Sequence, residues 1–365
     1  MSARIRPTFL RGALGAALAL ALGGCTTNLL PWFTPAPQQA LPISPADRAE
    51  LTLVILPELA SRRSALPANS SYERIAKTVA AQGDGPEASE QRRKALQAMA
   101  QHKEWIAGVG GLVNLTTLGA YATEVPLTKD RTAILAEVDL AAATLALEAN
   151  TRIHDALTLY IEAEAARERA AIADRLIQNL GRFDPQAPRI AQARQTQLAE
   201  QQKAEKAAAR LNQIAKAHVA GSAGPTQLPA PKPETRPLSV ILAQAEVTRD
   251  LAQGVPTLAM IDKGQARITA AQNDASLRLT ALQRRIATLA AQERAQRQVS
   301  QQMAMTLTRA VTLPQAGAPS PSELPRRYET LAEIEKDLVN MRQEMAKAAL
   351  DIAKEQGVLA DGGRI

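Results

Sequence analysis

From about Thr128 to Leu180 the apolar residues recur at alternating spacings of three and four. The row runs Ile134, Val138, Ala141 and Leu145, slips, and resumes as Ala156, Leu159, Ala163, Ala166, Ala170, Ala173, Ile177 and Leu180. That period marks a helix packing lengthwise against another helix, and alanine on the seam brings the two axes close. Pro126 stands just before the row, and Asp130 suits a first helical turn. Roughly fifty residues at 1.5 Å each span about 75 Å, far beyond a compact globular helix. Gly181, Pro185 and Pro188 end the pattern.

The same reading predicts further helices at Arg48–Leu56, capped by Asp47, and at Ser71–Gln82 and Glu87–Trp105. Arg189–Val219 reads as a polar helix on the outside of a bundle, because its apolar positions are few. Leu238–Gln253 stops at Gly254-Val255-Pro256. Thr257–Val311 carries a seam of Ile268, Ala271, Ala275, Leu279, Leu282, Ile286 and Leu289. The seam lapses over Gln292–Gln298 and resumes at Val299, Met303 and Leu307. Arg326–Gln356 has the cleanest register: Leu331, Ile334, Leu338, Met341, Met345, Ala348 and Ile352. Prolines crowd the stretches Thr26–Ala46, Gly221–Pro237 and Pro314–Pro325, which therefore read as tether, linker and loop. The expected organisation is a segment 1–24, a tether 25–46, a helical region 47–220, a linker 221–237, a second helical region 238–357 and a flexible tail 358–365. The fold class is all-α: an elongated, antiparallel, coiled-coil-like helical bundle with proline-rich linkers.

Composition agrees and excludes alternatives. Alanine supplies 73 of the 365 residues and aromatics 2%, which disfavours a large β core. One cysteine excludes a disulfide framework or a cysteine-built metal site, and three dispersed histidines offer no metal centre. No cofactor is expected.

Residues Met1–Arg11 carry Arg4, Arg6 and Arg11 and no acid. Gly12–Leu22 is an unbroken apolar or small run, too short to span a bilayer, and Leu22-Gly23-Gly24-Cys25 follows directly. This order of charged start, apolar run, small residues and cysteine resembles a bacterial lipoprotein signal with its lipobox. The resemblance covers residues 1–25 only. It implies cleavage between Gly24 and Cys25 and lipidation of Cys25, with acyl chains including palmitate holding the mature chain to a bilayer. Several acyl chains anchor stably where one is marginal. Thr26, rather than Asp, after the cysteine implies the outer membrane, with the body expected to face the periplasm. Removing the three signal arginines lowers the formal charge from +7 to +4. So mild a charge, on an exported chain poor in stacking aromatics, does not indicate nucleic acid.

Trp105–Thr123 is uncharged over nineteen residues and holds Gly108, Gly110, Gly111 and Gly119. Two readings are open: a membrane-active glycine-zipper segment, or a buried helix pair with a glycine turn. No nucleophile elbow, zinc-protease or phosphate-loop motif occurs. His154 and Asp155 are neighbours about 100° apart on a helix, so they read as an interface histidine rather than an acid–base pair. Glu162, Glu164 and Glu168, with Arg167, Arg169 and Arg175, read as a solvated face. The basic groups Arg92-Arg93-Lys94, Arg284-Arg285 with Arg294 and Arg297, and Arg326-Arg327 suit either solvent or an anionic surface. Every regular feature serves helix packing and none builds a polar pocket. The expectation is therefore a non-enzymatic, membrane-anchored envelope lipoprotein. It would act as a helical spacer, scaffold or adaptor for another envelope protein, or self-associate through its heptad seams. The alternatives are a pore-forming-like protein inserting Trp105–Thr123 and a periplasmic enzyme regulator.

Overall fold

A computed structural model of the chain describes residues 59, 61–82, 90, 93, 120–183, 188–215, 235–253, 257–312 and 322–360. The expected signal, Cys25, the tether, the helix at 48–56, that at 87–105 apart from the helical Glu90 and Arg93, residues 105–119 of the glycine-rich segment, most of the linker and residues 361–365 lie outside the described residues. What is described is all helical: α1 (Ser71–Ala81), α2 (Ala120–Gly181), α3 (Pro188–Ala215), α4 (Leu238–Ala252), α5 (Leu258–Thr312) and α6 (Leu324–Glu355). No strand occurs among these residues.

The local causes are visible at the helix ends. Ser70 caps α1, its Oγ accepting from the Glu73 amide at 3.2 Å, while the Glu73 carboxylate accepts from the Asn69 amide at 2.6 Å. Two otherwise orphaned amides are thereby satisfied. α2 begins eight residues before the Thr128 predicted from the stripe and runs through Pro126. Pro126 lies within the first two turns, where the missing N–H removes a single intrahelical bond. At 62 residues α2 spans about 93 Å.

The helices lie side by side. α3 folds back along α2, α2 packs on α6 and α4, and both of these pack on α5. The order across the layer is α3, α2, α6 with α4, then α5. The short helices α4 and α6 share the strip between α2 and α5. α6 ends where α4 begins, so the two, of 32 and 15 residues, stack end to end beside neighbours of 62 and 55 residues. α1 lies on α2 beside the end of α3.

This arrangement accounts for a feature the single stripe on α2 did not convey. α2 is buried on two flanks. Ala143 and Ala146 meet Leu238, Ile241 and Ala245 of α4. Ala165 and Ile172 meet Ala332 and Val339 of α6. Between them Ile153, Leu157 and Ile161 join Ala346 and Leu350 in the largest cluster. The predicted stripe is a separate row, and Val138, Ala141, Ala156, Ala163, Ala166 and Ala173 on it are all buried. Ile153, Leu157, Ile161 and Ile172 are each almost inaccessible. Burial at that level contributes about 1.5–3 kcal/mol per side chain.

α6 likewise carries two rows. Beside the predicted Leu331–Ile352 register, Ala332, Val339, Ala346, Leu350 and Ala353 form a second one against α2. α3 and α5, at the edges, are buried along one flank only. On α5 the seam does not lapse. It continues through Glu293 and Ser300, both buried, and Val299 points outward. The expected flexible tail is corrected at its start: Val358, Leu359 and Ala360 are buried in the largest cluster.

Candidate functional site

Among the described residues no cluster of His, Cys, Asp and Glu is placed to hold a metal. No helix there is long and apolar enough to cross a membrane. The sites worth building are surfaces and joints.

The first joint lies where α6 ends and α4 begins. Gly357 adopts φ +63, and a Cβ there would come 2.6 Å from Leu238 Cγ. Glycine is required both for the left-handed turn and for the close approach. Arg62 is almost wholly buried and donates to the Gln356 carbonyl (2.5 Å) and the Arg236 carbonyl (2.7 Å), tying both helix ends. A cation at the C-terminus of α6 also complements the helix dipole. Asn150 of α2, fully buried, occupies the slip between Leu145 and Ala156. Its amide donates to Ala146 O, and its oxygen accepts from Leu359 N (2.9 Å) and Ala360 N (3.4 Å). The break in the apolar row is thus a polar anchor for the segment after α6. One turn on, His154 touches Asp155 and also Asp351 of α6. The reading of His154 as an interface residue stands, while the separation from Asp155 is corrected. The imidazole Nδ1 lies 3.1 Å from Asp155 Oδ1.

The second region is the end of the layer where α2 and α5 finish and α3 and α6 begin. The rings of Phe183, after α2, and Tyr328, on α6, lie 6.0 Å apart. Beside them a groove of about 360 Å³ opens between the ends of α2, α5 and α6. Its floor is Ile172, Leu176, Leu307 and Leu331, and its rim holds Arg175, Arg182 and Glu335. A second groove, of about 310 Å³, lies over α2 between α3 and α6, with Lys203, Lys206, Arg210 and Arg169 on its walls.

The charged rows expected to face solvent bridge helices instead. Glu162 pairs with Lys347, Glu168 with Arg342, Arg175 with Glu335 and Arg285 with Glu344. Glu164 pairs with Arg167 along α2, and its burial still raises its carboxyl. Burial pushes Glu200 up too. Hydrogen bonds from Lys203 and Arg169 outweigh that and hold it below the usual carboxylate range. Asp139 lacks such help. Burial pushes its carboxyl up to about 7, and its Oδ1 has no hydrogen-bond partner among the described residues.

The third region is the pair of edges. On the free flank of α3, Ala191, Gln195, Leu198, Gln202, Glu205 and Ala209 are exposed. On the free flank of α5, Leu277, Ala281, Arg284, Thr288, Ala291 and Ala295 are exposed. Both rows repeat with spacings of four and three, and each carries one bare leucine, Leu198 at 57% exposure and Leu277 at 71%. The sequence pattern hid these rows because small and polar residues do not stand out beside a Leu/Ile seam.

No protein-family model matches the chain, and no curated protein matches it in sequence. Solved structures do share its fold. A membrane protein from Pseudomonas aeruginosa superposes with a TM-score of 0.56 at 11% identity, over 89% of this chain and 99% of that one. The open-state MtrE outer membrane channel of Neisseria gonorrhoeae gives 0.55 at 13%, over 83% and 94%. The CmeC outer membrane channel of Campylobacter jejuni gives 0.52 at 10%, over 92% and 94%. At these identities the likeness is one of fold.

Proposed function

We propose that the chain is a lipid-anchored envelope scaffold whose copies join edge to edge, α3 of one against α5 of the next, into a helical wall. The observation that carries this reading is the pair of edges left exposed among the described residues, each with a row of three–four spacing. A layer four helices wide encloses nothing by itself, so a channel-like body of this fold needs several copies. Two unlike edges make a heterologous contact that repeats around an axis. Alanine, glutamine and threonine on the facing rows let the axes approach, and Leu198 and Leu277 supply apolar contact. The fold shared with proteins described as outer membrane channels supports an envelope setting, and Cys25 supplies the anchor. Spacer and adaptor roles for another envelope protein are compatible with such a wall.

Two measurements test it. Palmitate labelling in cells labels the wild type and not Cys25→Ser. In the otherwise wild-type, lipidated protein, cysteines at positions 198 and 295, set at one level of the layer by the Arg169–Glu200, Arg175–Glu335 and Gln296–Asp337 contacts, are bridged in envelope preparations with a short bis-maleimide. The double variant yields covalent oligomers, and neither single variant does. Monomer alone, or equal crosslinking of a single variant, overturns the edge-to-edge reading.

A further inference from the structure

His154 is the one histidine among the described residues, and it sits at a joint. It projects from α2 towards α6 one turn beyond Asn150, with only 16% of its side chain exposed. Its Nε2 is 2.8 Å from Asp351 Oδ1 and its Nδ1 is 3.1 Å from Asp155 Oδ1. A neutral imidazole carries one N–H, and an ionised carboxylate only accepts. Both contacts are therefore hydrogen bonds at the same moment only when the ring holds two protons. With one, a ring lone pair faces a carboxylate oxygen at contact distance. The proton is a structural part of the joint.

The position of the joint gives that proton leverage. Asp351 precedes the end of α6 by one turn. Beyond that end, the amides of Leu359 and Ala360 bond Asn150, and the Val358 carbonyl accepts from Ala65 N at 2.8 Å. The strand of chain arriving from the N-terminal part is thus pinned by the same segment. We propose that His154 is a proton-operated clasp. When protonated it fastens the end of α6, and the buried segment 358–360 behind it, onto α2; when it loses its proton that end is released.

The charges around it are few. α2 contributes Asp155, and α6 contributes Asp351 and Lys354, the lysine opposing the imidazolium. The neighbouring Lys347 is engaged by Glu162. On α1, Glu73 pairs with Lys77, and α3 carries no charge over 211–215. Burial pushes the imidazole down, and the hydrogen bonds with Asp351 and then Asp155 more than reverse this, leaving it above its ordinary value of 6.5. A raised folded value means that the clasp is fully fastened below 6.5. It is lost as pH rises through that higher value.

The test uses the full mature lipoprotein in detergent. Hydrogen-exchange protection of the segment ending at Ala360 is followed from pH 5.5 to 9, beside a proton titration of the His154 ring. In the wild type, protection corrected for intrinsic exchange falls about tenfold as the ring titrates. In His154→Gln it stays flat. In Asp351→Asn the ring titrates lower, and the fall moves down with it. Identical profiles for the wild type and His154→Gln, or a wild-type ring titrating at or below the ordinary value, overturn the clasp. Should His154→Gln lose its helicity, the Asp351→Asn shift decides: no movement of the ring's titration overturns it.

Discussion

Asn150 shows how much one side chain settles in this fold. It closes a gap in an apolar row, satisfies its own donor on Ala146 O, and accepts two amides from the segment after α6. Asn150→Ala leaves those amides buried and unpaired, at a cost of about 1–3 kcal/mol. A urea titration followed by helicity should show the loss, with faster exchange confined to residues 356–360. Asp139 is the opposite case. Its carboxyl, ordinarily near 3.8, rises to about 7 through burial, so folding favours the protonated form. Stability then falls as pH climbs from about 4 to about 7, where the folded group finally ionises. Asp139→Asn removes that penalty and should stabilise the protein at pH 8 by about 1–2 kcal/mol, after discounting for the exposed part of the group. At pH 4 the two proteins should melt alike; a stabilisation of equal size at both pH values would refute the titration argument.

At the scale of the element, alanine decides the geometry. Ala156 of α2 is wholly buried in the cluster joining α1, α2, α3 and α6. A leucine fits the period equally well and the space not at all. Ala156→Leu should cost about 1–3 kcal/mol by overpacking. Its melting temperature should drop with little change in helix content. Ser300 on α5 is the reverse test, a polar residue buried in a seam. Ser300→Ala should be neutral or gain a few tenths of a kcal/mol, from helix propensity and from removing a buried hydroxyl. The one-sided burial of α3 and α5, against the two-sided burial of α2 and α6, belongs to this scale as well. It follows from which helices lie inside the layer and which bound it.

At the scale of the whole molecule, the layer formed by the described residues is open and its edges differ. Leu277→Glu puts a charge on the outward flank of α5, where Leu277 is 71% exposed. The monomer should melt unchanged, within about 0.5 kcal/mol. Edge-to-edge assembly, read from the mass of the detergent-solubilised protein, should weaken by at least about tenfold. A drop in monomer stability would show that the flank is already packed. Unchanged assembly would show that copies meet elsewhere.

The sequence by itself determined which of the described stretches are helices, nearly where most of them end, and that they pack lengthwise. A three–four period and proline breaks act locally, so they can be read without knowing the partner. It determined one seam per long helix, because Leu and Ile stand out on a single face. The resemblance to a lipobox at Cys25 rests on the same local logic, since its charge, apolar run and small residues are consecutive. Only the tertiary structure decided that α2 and α6 bury a second row, much of it alanine. A small side chain reads alike on a buried and an exposed face. The structure also turned the slip at Asn150 into an anchor and the supposed tail into part of the core, and it set His154 against Asp351. These pairings join residues about two hundred positions apart in the chain. Such contacts depend on which helices become neighbours, and no periodicity within one helix encodes that choice.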